Sequence, residues 1–229
     1  MFIKKIENSN TVGFDLKKLK EIKAFKHPNL VKVIGGKNLG DEVTVVEMEY
    51  CNRKSLGDIL QYQTVNLELI NLLIIHVLQG LNYLHGKGVV HSDLKVENIL
   101  VNQNEGDIVF KIGDLDSIKK SPSEFPLFGF YTTEILPPEC FEQGIIDYKA
   151  DIWSFGVMLF LLFTGVYPFG DRRSLTNAWL RGKICKMEFI RDYTTVLAPY
   201  NEIISLCLER DKDIRPTASK LLSILEYKQ

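Results

Sequence analysis

The chain has 229 residues, with 28 Lys and Arg against 29 Asp and Glu, a formal net charge of −1. That length accommodates one large domain or two small lobes, and the charge balance excludes a general pull toward nucleic acid or an anionic membrane. Hydrophobic residues at 45% and charged residues at 25% set aside a disordered chain.

In chain order, "FIKKI" alternates weakly and reads as a strand, and "MFIKKIENSN" is too short and too polar for a signal peptide. "FDLKKLKEIKAF" places Phe14, Leu16, Leu19, Ile22 and Phe25 at helical spacing, with the basic residues and Glu21 on a solvated face. "HPNL" ends that helix, because a residue before proline avoids the α region. "LVKVIGG" and "EVTVVEMEY" follow as Val-rich strands. After Cys51, "SLGDILQYQ" reads as a short helix capped by Ser55. "LELINLLIIHVLQGLNYLHG" is apolar almost all round, with Asn66 to cap it and Gly86 and Gly88 to end it, so the whole helix is expected to be buried.

"NILVN" and "IVFKIG" read as strands joined by a turn in "QNEGD". The longest apolar stretch begins at Trp153, but two glycines and a proline interrupt it and Asp151 precedes it, which predicts a core helix rather than a membrane span. From Tyr148 onward the chain reads as mostly helical, broken at Gly165, Pro168, Pro199 and Pro216. The expectation is an α+β chain: a small mixed lobe over 1–50 and a larger helical lobe over 51–229, joined near Glu49 to Arg53. Cys51, Cys140, Cys185 and Cys207 form no CxxC pair, and no His lies at zinc-ligand spacing, which predicts a reduced, cytoplasmic protein.

Two polar stretches carry chemistry. "HSDLKVENIL", residues 91–100, sets Asp93, Lys95 and Asn98 in a loop between an apolar helix and a strand, where polar groups meet low-dielectric surroundings. In "KIGDLDSIKK", residues 111–120, Asp114 and Asp116 flank Leu115; alone, the pair reads either as a metal site or as solvated turn residues.

The first stretch resembles the catalytic loop of eukaryotic protein kinases, His-Arg-Asp-Leu-Lys-x-x-Asn, as His91-Ser92-Asp93-Leu94-Lys95 and then Asn98. "KIGDLDS" stands where that family has Asp-Phe-Gly, "ILPPE" resembles its Ala-Pro-Glu segment, "ADIWSFGVMLF" its central buried helix and "RDKDIRPTA" its late arginine motif. Upstream, "HPNLVKVIG" resembles the approach to strand four and "EMEYCNRKSLGDIL" the hinge. The segments follow in family order over nearly the whole chain. The resemblance implies a bilobal protein-kinase-like fold with a reduced N-lobe, and ATP- and Mg-dependent transfer to Ser/Thr hydroxyls of a protein substrate.

The resemblance further implies the following roles, residue by residue. Asp93 orients the acceptor hydroxyl and Lys95 stabilises charge on the transferred group. Asn98 and Asp114 supply hard oxygen ligands for Mg²⁺ beside ATP. Lys4, in the position of the strand-three lysine, pairs with the α- and β-phosphates. Its glutamate partner is Glu21, matching "KEIK" to the family's "REIK"; direct counting would land on Lys18 instead. Met48 is the gatekeeper, and the backbone of Glu49 and Cys51 meets the adenine edge. Thr132 lies near the catalytic aspartate; with Thr133, Ser121 and Ser123 it offers activation-segment hydroxyls. Glu139 and Arg215 resemble a structural ion pair, Asp151 the residue that holds the catalytic loop from below, and His91 a packed support.

The departures define the alternatives. No G-x-G-x-x-G precedes "FIKKI", Ser92 replaces an arginine that grips an activation-segment phosphate, and Asp116 replaces a glycine, tolerable because Asp adopts backbone angles most residues avoid. A pseudokinase or kinase-mimicking module, acting on another kinase or a regulatory protein, is therefore the competing reading; small kinase-like proteins of viruses resemble it. Taken alone, "DLD" also resembles the metal motif of nucleotide-sugar glycosyltransferases, but the long helical half does not suit their alternating sheet. Nucleic acid and membrane are not expected partners.

Overall fold

In the computed structural model, residues 1–7, 16–39, 43–126, 131–194 and 196–226 are described. Phe14 and most of the spacer after the first strand lie outside them. Three strands, β1 (Phe2–Glu7), β2 (Val33–Leu39) and β3 (Val43–Met48), form an antiparallel sheet with β3 in the centre. Central placement buries Val45 and Val46 and sets Lys4 opposite Val46. Helix α1 (Leu16–Ala24) turns Leu19 and Ile22 inward, one helical turn apart. Gly36 lets the layers close: a Cβ there would collide with the Val45 carbonyl and the Leu19 side chain.

Strands β5 (Ile99–Asn104) and β6 (Asp107–Ile112) form a hairpin whose two-residue turn has Glu105 at φ 50° and Gly106 at φ 102°. That left-handed pair matches the right-handed twist of the flanking strands. Two sets of backbone bonds tie the hairpin to the upstream chain: Ile112 N–H donates to Asn29 O and Val31 N–H to Ile112 O, at 2.8 and 2.9 Å. Arg53 N–H donates to Val101 O, and Val101 N–H to Lys54 O. These ladders explain why the compact units do not divide at the expected 50/51 boundary. One unit comprises Met1–Gly80 and Val96–Ser117, the other Leu81–Lys95 and Ile118–Gln229.

In the first unit, Ser55 caps α2 (Leu56–Leu60) in a reciprocal capping box with Asp58. Asn66 accepts the Leu69 N–H at 2.9 Å at the start of α3 (Leu67–Gly86), whose residues beyond Gly80 belong to the second unit. The helix is not buried all round, as its composition suggested. Ile70, Leu73, Ile74, Val77, Leu78, Leu81 and Leu84 form one buried stripe, while Leu67 is 47% exposed. Burial follows what a face meets; composition states only what it could tolerate.

The acceptor nitrogens of two histidines brace this unit. His76 Nδ1 accepts the Phe110 N–H and His27 Nδ1 the Asn29 N–H, each at 3.2 Å. Burial holds both imidazoles below their ordinary pKa of 6.5, with Lys111 adding to the effect at His27. The unfolded chain then takes up these protons first as pH falls, so stability is full above 6.5 and declines as pH drops through that value toward the folded pKa. Thermal melts at pH 7.5 and 5.5 should show a lower midpoint in acid, with a smaller difference for His76→Gln; equal slopes for both proteins would refute the assignment.

The second unit is mainly helical. Helix α5 (Tyr148–Thr164) starts on an Asp147 cap, ends at Gly165 with φ 75°, and is buried without interruption from Lys149 to Phe160. Its Gly156 admits α7 (Tyr200–Cys207) so closely that a Cβ would stand 2.5 Å from Cys207 Cβ. Helices α4 (Pro138–Glu142), α6 (Asn177–Lys186, capped by Thr176) and α8 (Ala218–Glu226), with the short pairs β4 (Val89–Val90) with β7 (Lys119–Lys120) and β8 (Ser123–Glu124) with β9 (Ile145–Ile146), complete an α+β fold.

Candidate active site

In the second unit, the site is anchored from beneath. Asp151, in the first turn of α5, is fully buried; its carboxylate accepts the His91 N–H at 2.8 Å and the Ser92 N–H at 3.0 Å. His85, near the end of α3, adds its Nε2 at 2.8 Å. Sequence reading did not single out His85: a histidine on an apolar helix carries no local sign of a partner 66 residues away. These bonds hold Ser92 at φ 68°, a left-handed conformation that persists only where its surroundings impose it. His91 is buried, and its Nδ1 lies 3.3 Å from the Asp93 N–H it accepts.

The loop so fixed presents Asp93 to two partners. Thr132 Oγ1 donates to Asp93 Oδ1 at 2.9 Å, Lys95 Nζ lies 2.7 Å from Oδ2, and Lys95 Nζ also donates to Thr132 Oγ1 at 2.8 Å. The threonine hydroxyl accepts once and donates once, so the three side chains close a ring. This arrangement can hold a second hydroxyl against the Asp93 carboxylate with a cation beside it. Thr133 behaves differently: it is fully buried, with its hydroxyl 3.3 Å from Asn177 Oδ1, so the expectation of an available modification site there does not fit this conformation.

Behind this segment, Glu139 of α4 meets Arg215 through two bonds, Nη1 to Oε1 at 2.6 Å and Nη2 to Oε2 at 2.8 Å.

The remaining expected residues lie in the first unit. Strand pairing sets Ile99 opposite Ile112, and Gly113 N–H donates to Asn98 O at 2.8 Å, which brings Asn98 beside Asp114. Asp114 has φ 56°. Asp116 does not take the unusual angle expected of it; it sits in a tight helical turn, Leu115–Ser117, that packs on α1. The left-handed conformation is at Asp114 instead.

Lys4 Nζ bonds to Asp114 and to both oxygens of Asp116, at 2.8 and 3.0 Å. Glu21 is not its partner: it pairs with Lys18 at 3.7 Å, one turn back on α1. Burial works against the Lys4 ammonium, but Asp114 and Asp116 outweigh it and raise its pKa. Burial, then the charge of Asp114, raises that of Asp116.

Met48 closes β3, opposite Phe2 and Val33. Glu49 uses its side chain as a brace, accepting Lys32 N–H at 2.6 Å and Lys111 Nζ at 3.0 Å. Cys51 is buried, and burial with the nearby Glu49 pushes its thiol up to about 11. Among the described residues no three His, Cys, Asp or Glu side chains cluster as a metal cage. Asn98 and Asp114 nevertheless fit Mg²⁺, which takes one or two protein oxygens and fills its other places with phosphate and water; Asp114 already holds a cation in the Lys4 ammonium.

Compared with known families, the chain matches the one described as "Protein kinase domain" over residues 1–224. Mitogen-activated protein kinase kinase 3 of Arabidopsis thaliana is 32% identical over 187 residues, which is 78% of this chain and 34% of that protein. Serine/threonine-protein kinase unc-51 of Caenorhabditis elegans is 33% identical over 174 residues, 71% and 20% of the two chains. Serine/threonine-protein kinase BCK1/SLK1/SSP31 of Saccharomyces cerevisiae is 31% identical over 212 residues, 88% and 14% of the two. The chain thus spans about a third or less of these relatives.

Proposed function

This chain belongs to the protein kinase domain family, and on that footing we propose that it transfers the γ-phosphoryl group of ATP, with Mg²⁺, to serine and threonine hydroxyls of protein substrates. The observation that carries this reading is the closed ring of Asp93, Lys95 and Thr132. Asp93 orients the acceptor hydroxyl and takes its proton, and Lys95 faces the charge that develops on the transferred oxygens. Thr132 keeps both side chains in one geometry, which matters because phosphoryl transfer depends on positioning more than on covalent chemistry. Lys4 holds phosphate oxygens, and the backbone of Glu49 and Cys51 meets the adenine edge. Mg²⁺ bound by Asn98 and Asp114 would neutralise phosphate charge. The four cysteines, all free, support a cytoplasmic setting.

The second reading is a kinase-like binding module that acts on another kinase or a regulatory protein. It draws on Lys4 being engaged by two carboxylates rather than one. Incubation with γ-labelled ATP, Mg²⁺ and a mixed protein substrate separates the two. Transfer to Ser and Thr that stops on chelation is expected; no transfer, together with no thermal shift from Mg-ATP, would favour the module. Thr132→Val should slow transfer about tenfold, the cost of a charge-assisted bond, while Thr132→Ser stays near wild type. Equal rates for Val and wild type would remove Thr132 from the site.

A further inference from the structure

Asp116 stands where the resemblance places glycine, so its side chain has no counterpart in that pattern. It does a great deal: both its oxygens lie on the Lys4 ammonium, at 2.8 and 3.0 Å, and its side chain is only 13% exposed. The backbone cannot easily carry it away. Ser117 N–H and Ser117 Oγ both bond to Asp114 O, at 3.2 and 2.8 Å, closing the turn, and Leu115 is buried beneath it. An ammonium has three N–H donors, and here Asp114 and the two oxygens of Asp116 surround it. A phosphate oxygen that takes one of these three places displaces a carboxylate oxygen from Lys4. Two carboxylates against one ammonium also leave a net negative charge, which repels an incoming phosphate in a partly buried site where solvent screens little.

We propose that Asp116 is a built-in competitor for nucleotide: its carboxylate occupies the phosphate position on Lys4 and must be displaced for nucleotide to bind. The proposal rests on the reading of Lys4 as a phosphate-holding lysine. It assigns Asp116 neither to metal nor to the acceptor. Its consequence is a nucleotide affinity set below what the same site would have with a neutral residue, so that occupancy follows ATP concentration.

The test compares wild type with Asp116→Asn and Asp116→Ser, two variants chosen so that one failing to fold leaves the other, with thermal melts to establish folding. Two quantities are read: the rate at which an amine-reactive reagent modifies Lys4 without nucleotide, located by mass spectrometry, and the affinity for ATP with and without Mg²⁺. Faster Lys4 modification together with ATP affinity about tenfold tighter is expected, the loss of one charge-assisted contact. Unchanged Lys4 modification would show that Asp116 does not restrain it and overturns the proposal. Faster modification with unchanged or weaker ATP affinity, in a protein whose wild type does bind ATP, overturns the competition alone. Absence of ATP binding in every protein overturns the phosphate reading of Lys4 and the competition with it.

Discussion

Asp93→Asn should reduce phosphoryl transfer by about 10²–10⁴-fold, the range for loss of a positioned general base, while the fold survives. Asparagine preserves the shape of the side chain and one oxygen that can still accept from Thr132. It removes the second acceptor: the amide NH₂ would face Lys95 Nζ, now 2.7 Å from Oδ2, and donor against donor drives the lysine away. The acceptor hydroxyl then loses both its orienting carboxylate and the cation beside it. Stability should change by no more than about 1 kcal/mol, because both side chains are part-exposed and the pair is not sealed in the core. Transfer assays alongside thermal melts check the two halves of this result. Transfer within a few-fold of wild type would remove Asp93 from the reaction; a large fall in melting temperature would recast it as a structural residue.

What could be read from the sequence divides along a physical line. The cap at Ser55, the α3 cap at Asn66, the hairpin between "NILVN" and "IVFKIG" and the buried α5 depend on neighbours a few residues apart, and local pattern is enough. The loop around Asp93 stands out locally only as a dense polar run; its reading as a catalytic loop rests on the resemblance to protein kinases. Partner choice is not locally legible. The resemblance of "KEIK" to the family's "REIK" gives Lys4 to Glu21, yet its ammonium meets Asp114 and Asp116, 110 and 112 residues away. The positive φ expected at Asp116 sits at Asp114, in a turn closed by the Ser117 N–H and Oγ on the Asp114 carbonyl. His85 meets Asp151 only in the fold, across 66 residues, and no local pattern marks the pair. Unit boundaries follow the same rule: the backbone bonds of Asn29 and Val31 with Ile112 join segments expected in different lobes.

Arg215→Ala should cost about 3–5 kcal/mol, the penalty for removing one partner of a buried ion pair. The guanidinium is fully buried, and every donor face is used. Besides the two bonds to Glu139, Nε donates to Glu209 O at 2.6 Å, Nη2 to Arg210 O at 3.2 Å and Nη1 to Lys149 O at 3.3 Å, and the group lies 4.8 Å from the Trp153 ring centroid. Alanine leaves Glu139, itself buried, with an uncompensated charge and strips the carbonyls of their donor. Lysine should recover only part of this, since a single ammonium cannot span two carboxylate oxygens and the Glu209 carbonyl together. The informative variant is the double one. Arg215→Met with Glu139→Met removes both charges and should be more stable than Arg215→Ala alone, because replacing a whole buried pair costs less than orphaning half of it. Single and double variants whose losses simply add would mean the two residues act independently. In that case the segment from Thr132 to Glu139 would owe its position to Ser154, whose hydroxyl donates to Ile135 O at 2.8 Å, rather than to the arginine.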